Sequence, residues 1–460
     1  MLERSLNEIR KLLRTRAITV EALAEEAIAN RDEDLLAYRA VDDDRLRETA
    51  RAADAALKLG RDFGPLHGIP ISVKDLYGVP GFDTCAGTPT PLPDRFDLPG
   101  PVVRACLDAF ALIVGKTHTV EFAFSGIGMN KHWGTPKNPW DAERHRIPGG
   151  SSAGAGVSLA EGSALVALGT DTAGSVRVPA SMTGNVGVKT TKGRWSTQGI
   201  VPLSTSLDTP GILTRTVEDA IVAFETIDGT TVPDTPDLSS LRFGVPGAPF
   251  FDECDPGIAE AVESAAGALA ACGARVTPVD VPEGEAARQL FRAGGVAAQE
   301  LYAFLKTELE DRIEHLDPVV RDRVVGVAEE PAYQYVARLE EIRRLSDAAD
   351  ARIAPFDAWL TPTCAGTPPE VASITDIEAY RRANMLALRN TSIVNCLGQC
   401  AVTIPIALDP EGMPIGLHLI GRRGEDHRLL AVARSVERAL GTAEVRIGRP
   451  PRRSADTKNG

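Results

Sequence analysis

The pattern of residue types along residues 66–225 constrains the fold more than any other feature of this chain. Short β-branched runs, such as residues 69–73 and 111–114, alternate there with glycine-rich turns. Runs of this kind are typical of strands buried on both faces of a sheet. Residues 154–160 (Gly-Ala-Gly-Val-Ser-Leu-Ala) have side chains small enough for a helix packed tightly beneath such a sheet. The sequence therefore predicts an α/β fold.

Residues 1–446 as a whole are predicted to form one domain with four parts. Residues 1–60 show helical spacing, with Thr19 as a possible N-cap and Glu21 in the first turn. Residues 61–235 are expected to form the core. Residues 236–355 have a strand pattern at 241–246 and then amphipathic helical patterns, which indicate a helical subdomain. Residues 356–446 return to strand patterns and end in a helix over 426–440, and residues 447–460 are expected to form a flexible tail.

Composition excludes several classes of function. The formal net charge of −13 argues against a nucleic-acid partner, because the one basic cluster, residues 449–453, falls in the predicted tail. Seven scattered cysteines are typical of reduced, mostly buried thiols, although Cys396 and Cys400 could share one helical face. No signal-peptide pattern and no membrane-spanning run is visible. We expect a cytoplasmic monomer or homodimer that acts on a small molecule without a membrane partner.

Three residues far apart in the chain look like one catalytic apparatus. Lys74 ends a short apolar stretch, Ser151 lies in Gly-Gly-Ser-Ser-Ala-Gly, and Ser175 ends Gly-Thr-Asp-Thr-Ala-Gly-Ser. A serine needs a base to attack an acyl carbon, and a lysine that burial has deprived of its proton can be that base. The backbone N–H groups just before Ser175 can stabilise a developing oxyanion. These donors belong to Thr172, Ala173 and Gly174.

The amino-acid sequences of these three segments resemble the motifs of the amidase signature family, whose Ser–cis-Ser–Lys triad hydrolyses C–N bonds. Residues 395–398 and 413–421 extend the resemblance into the C-terminal part. It implies a large mixed, twisted sheet of about ten or eleven strands covered by helices on both faces, and no cofactor. The implied roles are nucleophile for Ser175, bridge for Ser151, base for Lys74, and support for Ser152, Asp171 and Arg177, the last two as an ion pair.

A rival interpretation makes Ser152 the nucleophile. Residues 150–154 also match the Gly-x-Ser-x-Gly elbow, which requires a downstream acid and histidine. The downstream histidines are His315, His418 and His427, and the alternation around His418 favours a sheet residue over a base. No metal-ligand spacing and no dinucleotide fingerprint occurs. Gly115-Lys116-Thr117 fails as a phosphate loop because Phe110 stands where a glycine is required.

The substrate is predicted from the residues expected around the triad. The resemblance places Ser125, Gly126 and Met129 on the acyl side of the site. The apolar residues of the helical subdomain would form an access wall, namely Leu301, Tyr302, Phe304 and Leu305. An apolar, open pocket favours an aryl amide, an anilide or a carbamate, as for an aryl-acylamidase or a urethanase. One alternative is the glutamine-hydrolysing component of a multi-chain amidotransferase. Another is a noncatalytic binding protein, and the intact triad disfavours only this second alternative.

Overall fold

The computed structural model describes residues 1–451 and contains one sheet of eleven strands in that range. The strands are β1 (Tyr38–Val41), β2 (Pro70–Lys74), β3 (Leu112–Thr117), β4 (Val166–Asp171), β5 (Val186–Lys189), β6 (Thr209–Thr214), β7 (Arg242–Pro246), β8 (Arg275–Val279), β9 (Ala358–Pro362), β10 (Cys400–Leu408) and β11 (Pro414–Gly421). Their spatial order is β1-β3-β2-β4-β6-β5-β10-β11-β9-β7-β8. This confirms the predicted size of the sheet.

The sheet is mixed, as predicted. Strand β2 pairs in parallel with both β3 and β4. From β4 through β6, β5, β10 and β11 to β9 every neighbouring pair is antiparallel. The parallel pairing resumes where β7 lies between β9 and β8. The carboxyl ends of the neighbouring strands β2 and β4 therefore lie side by side at the same end of the sheet.

Helices pack on both faces of the sheet. Val166 and Leu168 of β4 belong to the main apolar core, while Ala167 between them packs with Ala155 and Ala180 in a separate cluster. Opposite faces of one strand thus contact different helices. The helices are α1 (Leu6–Arg14), α2 (Val20–Asn30), α3 (Asp43–Lys58), α4 (Pro101–Asp108), α5 (Ala153–Ala160), α6 (Arg177–Met182), α7 (Val217–Asp228), α8 (Ile258–Ala271), α9 (Pro282–Arg292), α10 (Ala297–Glu308), α11 (Pro318–Val325), α12 (Ala332–Ile353), α13 (Ile377–Cys396), α14 (Asp426–Leu440) and α15 (Ala443–Ile447).

Local signals placed several of these helices correctly. Thr19 caps α2, where its side chain accepts a hydrogen bond from the Ala22 N–H, and Glu21 lies in the first turn. Helix α14 has the predicted bounds. Helix α5, built from small residues, packs against β2, β3 and β4. Within residues 1–451 no helix has the length and apolarity needed to cross a membrane.

Two details differ from the sequence-based expectation. Residues 236–355 are not purely helical after the strand at 241–246, because β8 follows α8 and extends the sheet at its edge. An edge strand is only half covered, and Pro278 within it obscures the strand pattern. Cys396 ends α13 whereas Cys400 begins β10, so these two cysteines share no helical face. All seven cysteines are free thiols.

The C-terminal segment is described only in part. Ile447 is the last residue of α15, and Arg449 forms ion pairs with Glu3 and Glu444 at 2.7 and 3.0 Å. The remainder of the predicted tail, including the basic residues 452 and 453, lies outside the described residues. The proposed division of residues 1–446 into four parts stays a prediction.

Candidate active site

Strand β2 carries Lys74 to the edge of the sheet where β4 also ends. Ile71 and Val73 face the main core, so Ser72 and Lys74 point to the opposite side. Lys74 has no exposed surface, and its Nζ donates hydrogen bonds to Ser151 Oγ and Thr170 Oγ1, both at 2.8 Å. The two predicted residues Lys74 and Ser151, 77 positions apart, are therefore in direct contact.

Burial dominates the electrostatics of Lys74. No carboxylate in residues 1–451 lies within ion-pair distance of its Nζ. Desolvation lowers the pKa of Lys74 to about 7, and the more distant carboxylates of Asp208 and Asp171 partly oppose this shift. The side chain is therefore able to exist as a neutral amine near neutral pH.

Ser151 lies two residues before α5 in a tightly enclosed turn. The peptide bond between Gly150 and Ser151 is cis. The Gly150 N–H donates to the Gly126 carbonyl at 2.8 Å, and a Cβ atom at Gly150 would lie 2.5 Å from the Gly128 nitrogen. Only glycine fits at position 150, which explains why the sequence reads Gly-Gly-Ser-Ser at this point.

Ser175 lies two residues before α6 and is joined to the Ser151 segment through the backbone. The Ser152 N–H donates to the Ser175 carbonyl at 3.2 Å. Ser175 is 3% exposed, and its Oγ makes no hydrogen bond with any residue in 1–451. The hydroxyl is thus not held by another side chain and can turn toward a substrate or toward Ser151.

The loop before Ser175 offers backbone donors, but not all of the predicted ones. Within residues 1–451 the N–H groups of Thr172, Ala173 and Ser175 have no hydrogen-bond acceptor. The Gly174 N–H instead donates to Asp171 Oδ1 at 2.9 Å. The donors that remain for an oxyanion are therefore the N–H groups of Thr172, Ala173 and Ser175. The N–H of Gly174, which was predicted as a donor, is not among them.

A buried ion pair fixes this loop, as the sequence predicted. Arg177 Nη2 and Nε donate to the two oxygens of Asp171 at 2.9 and 3.0 Å, and neither side chain has exposed surface. Asn395 Nδ2 also donates to Asp171 Oδ1, at 2.9 Å. Burial alone would raise the pKa of the Asp171 carboxyl, but Arg177, with Lys189 and Asn395, holds it below its ordinary value. This lowered pKa favours the charged carboxylate, whose hydrogen bonds with the N–H of Val176 and with Arg177 hold the start of α6.

One of the three downstream histidines available to the rival elbow is a buried sheet residue engaged by Arg177. His418 lies in β11 and its Nε2 is 3.0 Å from Arg177 Nη1. Burial lowers the pKa of His418 well below its ordinary value, and Arg177 adds to the effect. Ser152 Oγ donates weakly to the Thr170 carbonyl at 3.4 Å and forms no hydrogen bond with a histidine of residues 1–451. This geometry favours Ser175 over Ser152 as the nucleophile.

The segment expected on the acyl side contacts the turn before Ser151, because the Gly126 carbonyl accepts from the Gly150 N–H at 2.8 Å. Ser125 Oγ and the Gly126 N–H both donate to Asn384 Oδ1, at 3.0 and 2.7 Å. Met129 packs in the same apolar cluster as Ala173. The four residues predicted as an access wall belong to α10, which packs against Phe122 and Phe124 just before Ser125.

Sequence reasoning missed four residues of the site. Thr170 accepts from Lys74, Asn395 binds Asp171, and Asn384 binds Ser125 and Gly126. Asp208 accepts a 2.5 Å hydrogen bond from Thr172 Oγ1 at the start of the donor loop. Thr170 stands inside the Ser175 motif and Asn395 in a segment that carried the resemblance, so both were open to detection. Nothing in the sequence around Asp208 or Asn384 signals a role.

Residues 1–451 contain no group of three or more histidine, cysteine, aspartate or glutamate side chains that could hold a metal ion. The expectation of activity without a cofactor stays a prediction.

Comparisons with known proteins agree with the geometry. A family model described as Amidase matches residues 19–430. The chain is 49% identical to 2-amino-5-chloromuconic acid deaminase of Comamonas testosteroni, over 97% of this chain and 98% of that protein. It is 31% identical to a component of the mitochondrial glutamyl-tRNA(Gln) amidotransferase of Rattus norvegicus, over 96% and 94%. A crystal structure of an amidase superposes with a TM-score of 0.86 at 33% identity, over 95% of this chain and 100% of that one.

Proposed function

The chain belongs to the amidase signature family of C–N hydrolases, and on that premise we propose that Ser175 attacks the substrate carbonyl, with Ser151 as relay and Lys74 as base. The observation that carries this proposal is the position of Lys74. Lys74 has no exposed surface, its Nζ lies 2.8 Å from Ser151 Oγ, and no carboxylate of residues 1–451 pairs with it. A lysine in that environment can accept a proton at neutral pH.

The reaction follows from these positions. The Ser175 hydroxyl transfers its proton to Ser151, Ser151 transfers its own to Lys74, and Ser175 Oγ forms a bond to the carbonyl carbon. The C–N bond then breaks, and the amine leaves with the proton that Lys74 returns through Ser151. Water next attacks the acyl ester of Ser175 and releases the acid. The first proton transfer requires the Ser175 hydroxyl to turn toward Ser151. Catalytic hydrogen bonds are often long before the substrate binds, so this rotation is compatible with the structure.

The oxyanion that forms on the carbonyl oxygen would be bound by backbone N–H groups. Thr172, Ala173 and Ser175 supply these donors, because their N–H groups have no acceptor within residues 1–451. Preorganised donors of this kind stabilise a transition state by roughly 3–4 kcal/mol each. The ion pair of Asp171 with Arg177 holds the loop that presents them.

Three substrate classes are supported by different observations. Met129, Ala173, Phe291 and Tyr380 all pack against one apolar cluster that includes Val178 and Leu388, which supports an aryl amide, an anilide or a carbamate. The 49% identity to a deaminase of an unsaturated amino acid supports a small acid that bears nitrogen. The similarity to amidotransferase components at 31% identity keeps glutamine as a further candidate.

The test is release of amine or ammonia by the purified chain from anilides, primary amides, ureas, aryl carbamates, amino-substituted unsaturated acids and glutamine. We expect the chain alone to hydrolyse at least one of them, and Ser175→Ala to abolish that turnover while Ser152→Ala retains part of it. Activity on glutamine only when partner chains are added would support the amidotransferase instead. Retention of turnover by Ser175→Ala would exclude the proposed nucleophile.

A further inference from the structure

Asp208 is a buried acidic residue that no cation neutralises. It is the last residue before β6, and 8% of its surface is exposed. Within residues 1–451 no lysine, arginine or histidine lies within ion-pair distance of its carboxylate. By contrast, Asp171 on the neighbouring strand pairs with Arg177 at 2.9 Å. A buried charge without such a partner costs stability, and such groups are frequent at functional sites.

The hydrogen bonds of Asp208 favour its ionised form. Oδ2 accepts from the backbone N–H groups of Leu203 and Ser204 at 2.9 and 3.0 Å, and Oδ1 accepts from Thr172 Oγ1 at 2.5 Å. The last contact has the length of a charge-assisted hydrogen bond. Burial raises the pKa of the Asp208 carboxyl, and these three donors, together with the charge of Lys192, oppose that shift. The donors therefore stabilise the negative charge without cancelling it.

Asp208 and Lys74 lie on the same face of the sheet. Strands β4 and β6 are antiparallel, with Thr170 opposite Pro210. Asp208 and Thr172, each two residues further on in this pairing, therefore occupy the face to which Thr170 points. Thr170 Oγ1 is also the hydroxyl that accepts from Lys74 Nζ at 2.8 Å. The lysine and the unpaired carboxylate are thus separated by one two-residue step along β4.

The charge of Asp208 acts on Lys74. Burial lowers the pKa of Lys74 to about 7, and Asp208 opposes that shift more than Asp171 does. Asp171 is already neutralised by Arg177. The other charged or titratable groups on the surrounding elements are Arg39, Asp75, Tyr77, Lys116, Lys189, Lys192 and Glu300. Asp208 is therefore the unpaired charge whose removal should act on the lysine most directly.

Thr172 connects Asp208 to the loop that presents the oxyanion donors. The Thr172 N–H is one of the three proposed donors, and Asp208 fixes the side chain of the same residue. The next residue is held from another element, because the Ala173 carbonyl accepts from Thr391 Oγ1 at 2.7 Å. Separate contacts thus hold successive residues of the loop, and Asp208 makes the one at its start.

We propose that Asp208 is a positioning residue of the reaction, which holds the Thr172 end of the oxyanion loop and presents a negative charge to Lys74. The inference rests on the proposed function, because Asp208 has this role only if Lys74 is the base. A nearby negative charge stabilises the protonated form of a lysine. Loss of the Asp208 charge should therefore favour the neutral amine and extend activity to lower pH.

The test is the rate at which a fluorophosphonate, which reacts with activated serines, labels Ser175 between pH 5 and pH 8. In the unchanged chain the rate should rise with a midpoint near 7. Asp208→Asn keeps the size of the side chain and can still hydrogen-bond Thr172, but it lacks the charge. Its midpoint should fall by about one pH unit, the low end of the effect of a nearby charge. A merely structural role would lower stability without moving the midpoint.

Asp219→Asn is the matched control. Asp219 is also buried, accepts from a backbone N–H, that of Leu6, at 2.8 Å, and pairs with no cation of residues 1–451. It lies at the start of α7, outside the proposed site. Its variant should therefore label with the midpoint and the maximal rate of the unchanged chain.

Thr172→Val tests the contact with the loop separately, because it removes the hydroxyl and leaves the charge of Asp208 in place. The maximal labelling rate should fall by about 10-fold, less than the roughly 10²- to 10³-fold cost of losing an oxyanion donor outright. The midpoint should stay near 7. Thermal unfolding checks that each variant is folded, and Thr172→Val keeps the inference testable if Asp208→Asn does not fold.

The outcomes separate this inference from the proposed function. An unmoved midpoint in folded Asp208→Asn, or an undiminished maximal rate in Thr172→Val, would overturn the inference and leave the proposed function standing. If Ser175 of the unchanged chain takes no label, or takes it at a rate independent of pH, the proposed function fails and the inference fails with it.

Discussion

At the scale of single residues, the contacts of three fully buried lysines show why only one suits a base. Lys116 pairs with Asp75 at 3.0 Å. Lys189 donates to the carbonyls of Thr190 and Gln399 at 3.1 and 2.7 Å, and carbonyls can only accept. Lys74 donates to two hydroxyls, which can equally donate to a neutral amine. Lys74 is therefore the one of the three whose surroundings also accommodate the unprotonated form.

This account of Lys74 predicts the pH dependence of turnover. Burial lowers its pKa to about 7, so the amine is neutral and active above that pH and protonated and inactive below it. The kcat should rise from pH 5 to pH 8 with a midpoint near 7.

Lys74→Arg cannot lose its proton and should be slower by at least about 10²-fold, the low end of a general base's contribution. Exposed Lys58→Arg serves as control, and a flat profile or near-normal kcat in Lys74→Arg would contradict the relay.

At the scale of elements, the ion pair of Asp171 and Arg177 joins the end of β4 to α6, and Asn395 connects both to α13. Asp171→Asn removes one charge and leaves Arg177 buried without a counter-ion. Such a change typically costs about 3–5 kcal/mol. Urea unfolding should show that loss, together with reduced turnover because the donor loop is no longer held. Glu340→Gln breaks an exposed pair with Arg343 and should cost less than about 1 kcal/mol, so equal losses in the two variants would contradict the role given to the buried pair.

The packing of α5 under the sheet predicts a second effect on stability. A Cβ atom at Gly154 would lie 2.0 Å from the Ala37 carbonyl and 2.7 Å from the His118 nitrogen. Gly154→Ala should therefore destabilise the fold by about 1–3 kcal/mol although alanine favours helices. Gly267→Ala in α8 meets no atom within 4 Å and should stabilise by up to about 1 kcal/mol. Differential scanning calorimetry compares the two, and a more stable Gly154→Ala would show that α5 can move away from the sheet.

At the scale of the whole molecule, sequence reasoning succeeded where one local pattern determines the outcome. Buried strands, the small residues of α5 and the cap at Thr19 are each encoded by neighbouring residues. The edge strand β8 lacks the apolar pattern of a buried strand. The contacts of Asp208 and Asn384 join segments 36 and 258 positions apart, and no local pattern encodes them. The loss of Gly174 as an oxyanion donor depends on the rotamer of Asp171, which only the folded loop defines.

A metal-independent mechanism is the prediction for the molecule as a whole. The proposed reaction needs only side chains and backbone groups of this chain and one water molecule. Turnover of any substrate found in the panel should therefore be unchanged after exhaustive dialysis against EDTA. Loss of activity that zinc restores would contradict the serine mechanism.

The most direct test of the central claim is to identify the residue that a fluorophosphonate modifies. Tandem mass spectrometry of the labelled, digested chain should show one adduct, on Ser175, in the unchanged protein and in Ser152→Ala, and none in Ser175→Ala. The reaction depends on an activated serine, so Lys74→Arg should label far more slowly at pH 8. An adduct on Ser152 that survives in Ser175→Ala would contradict the account and support the elbow.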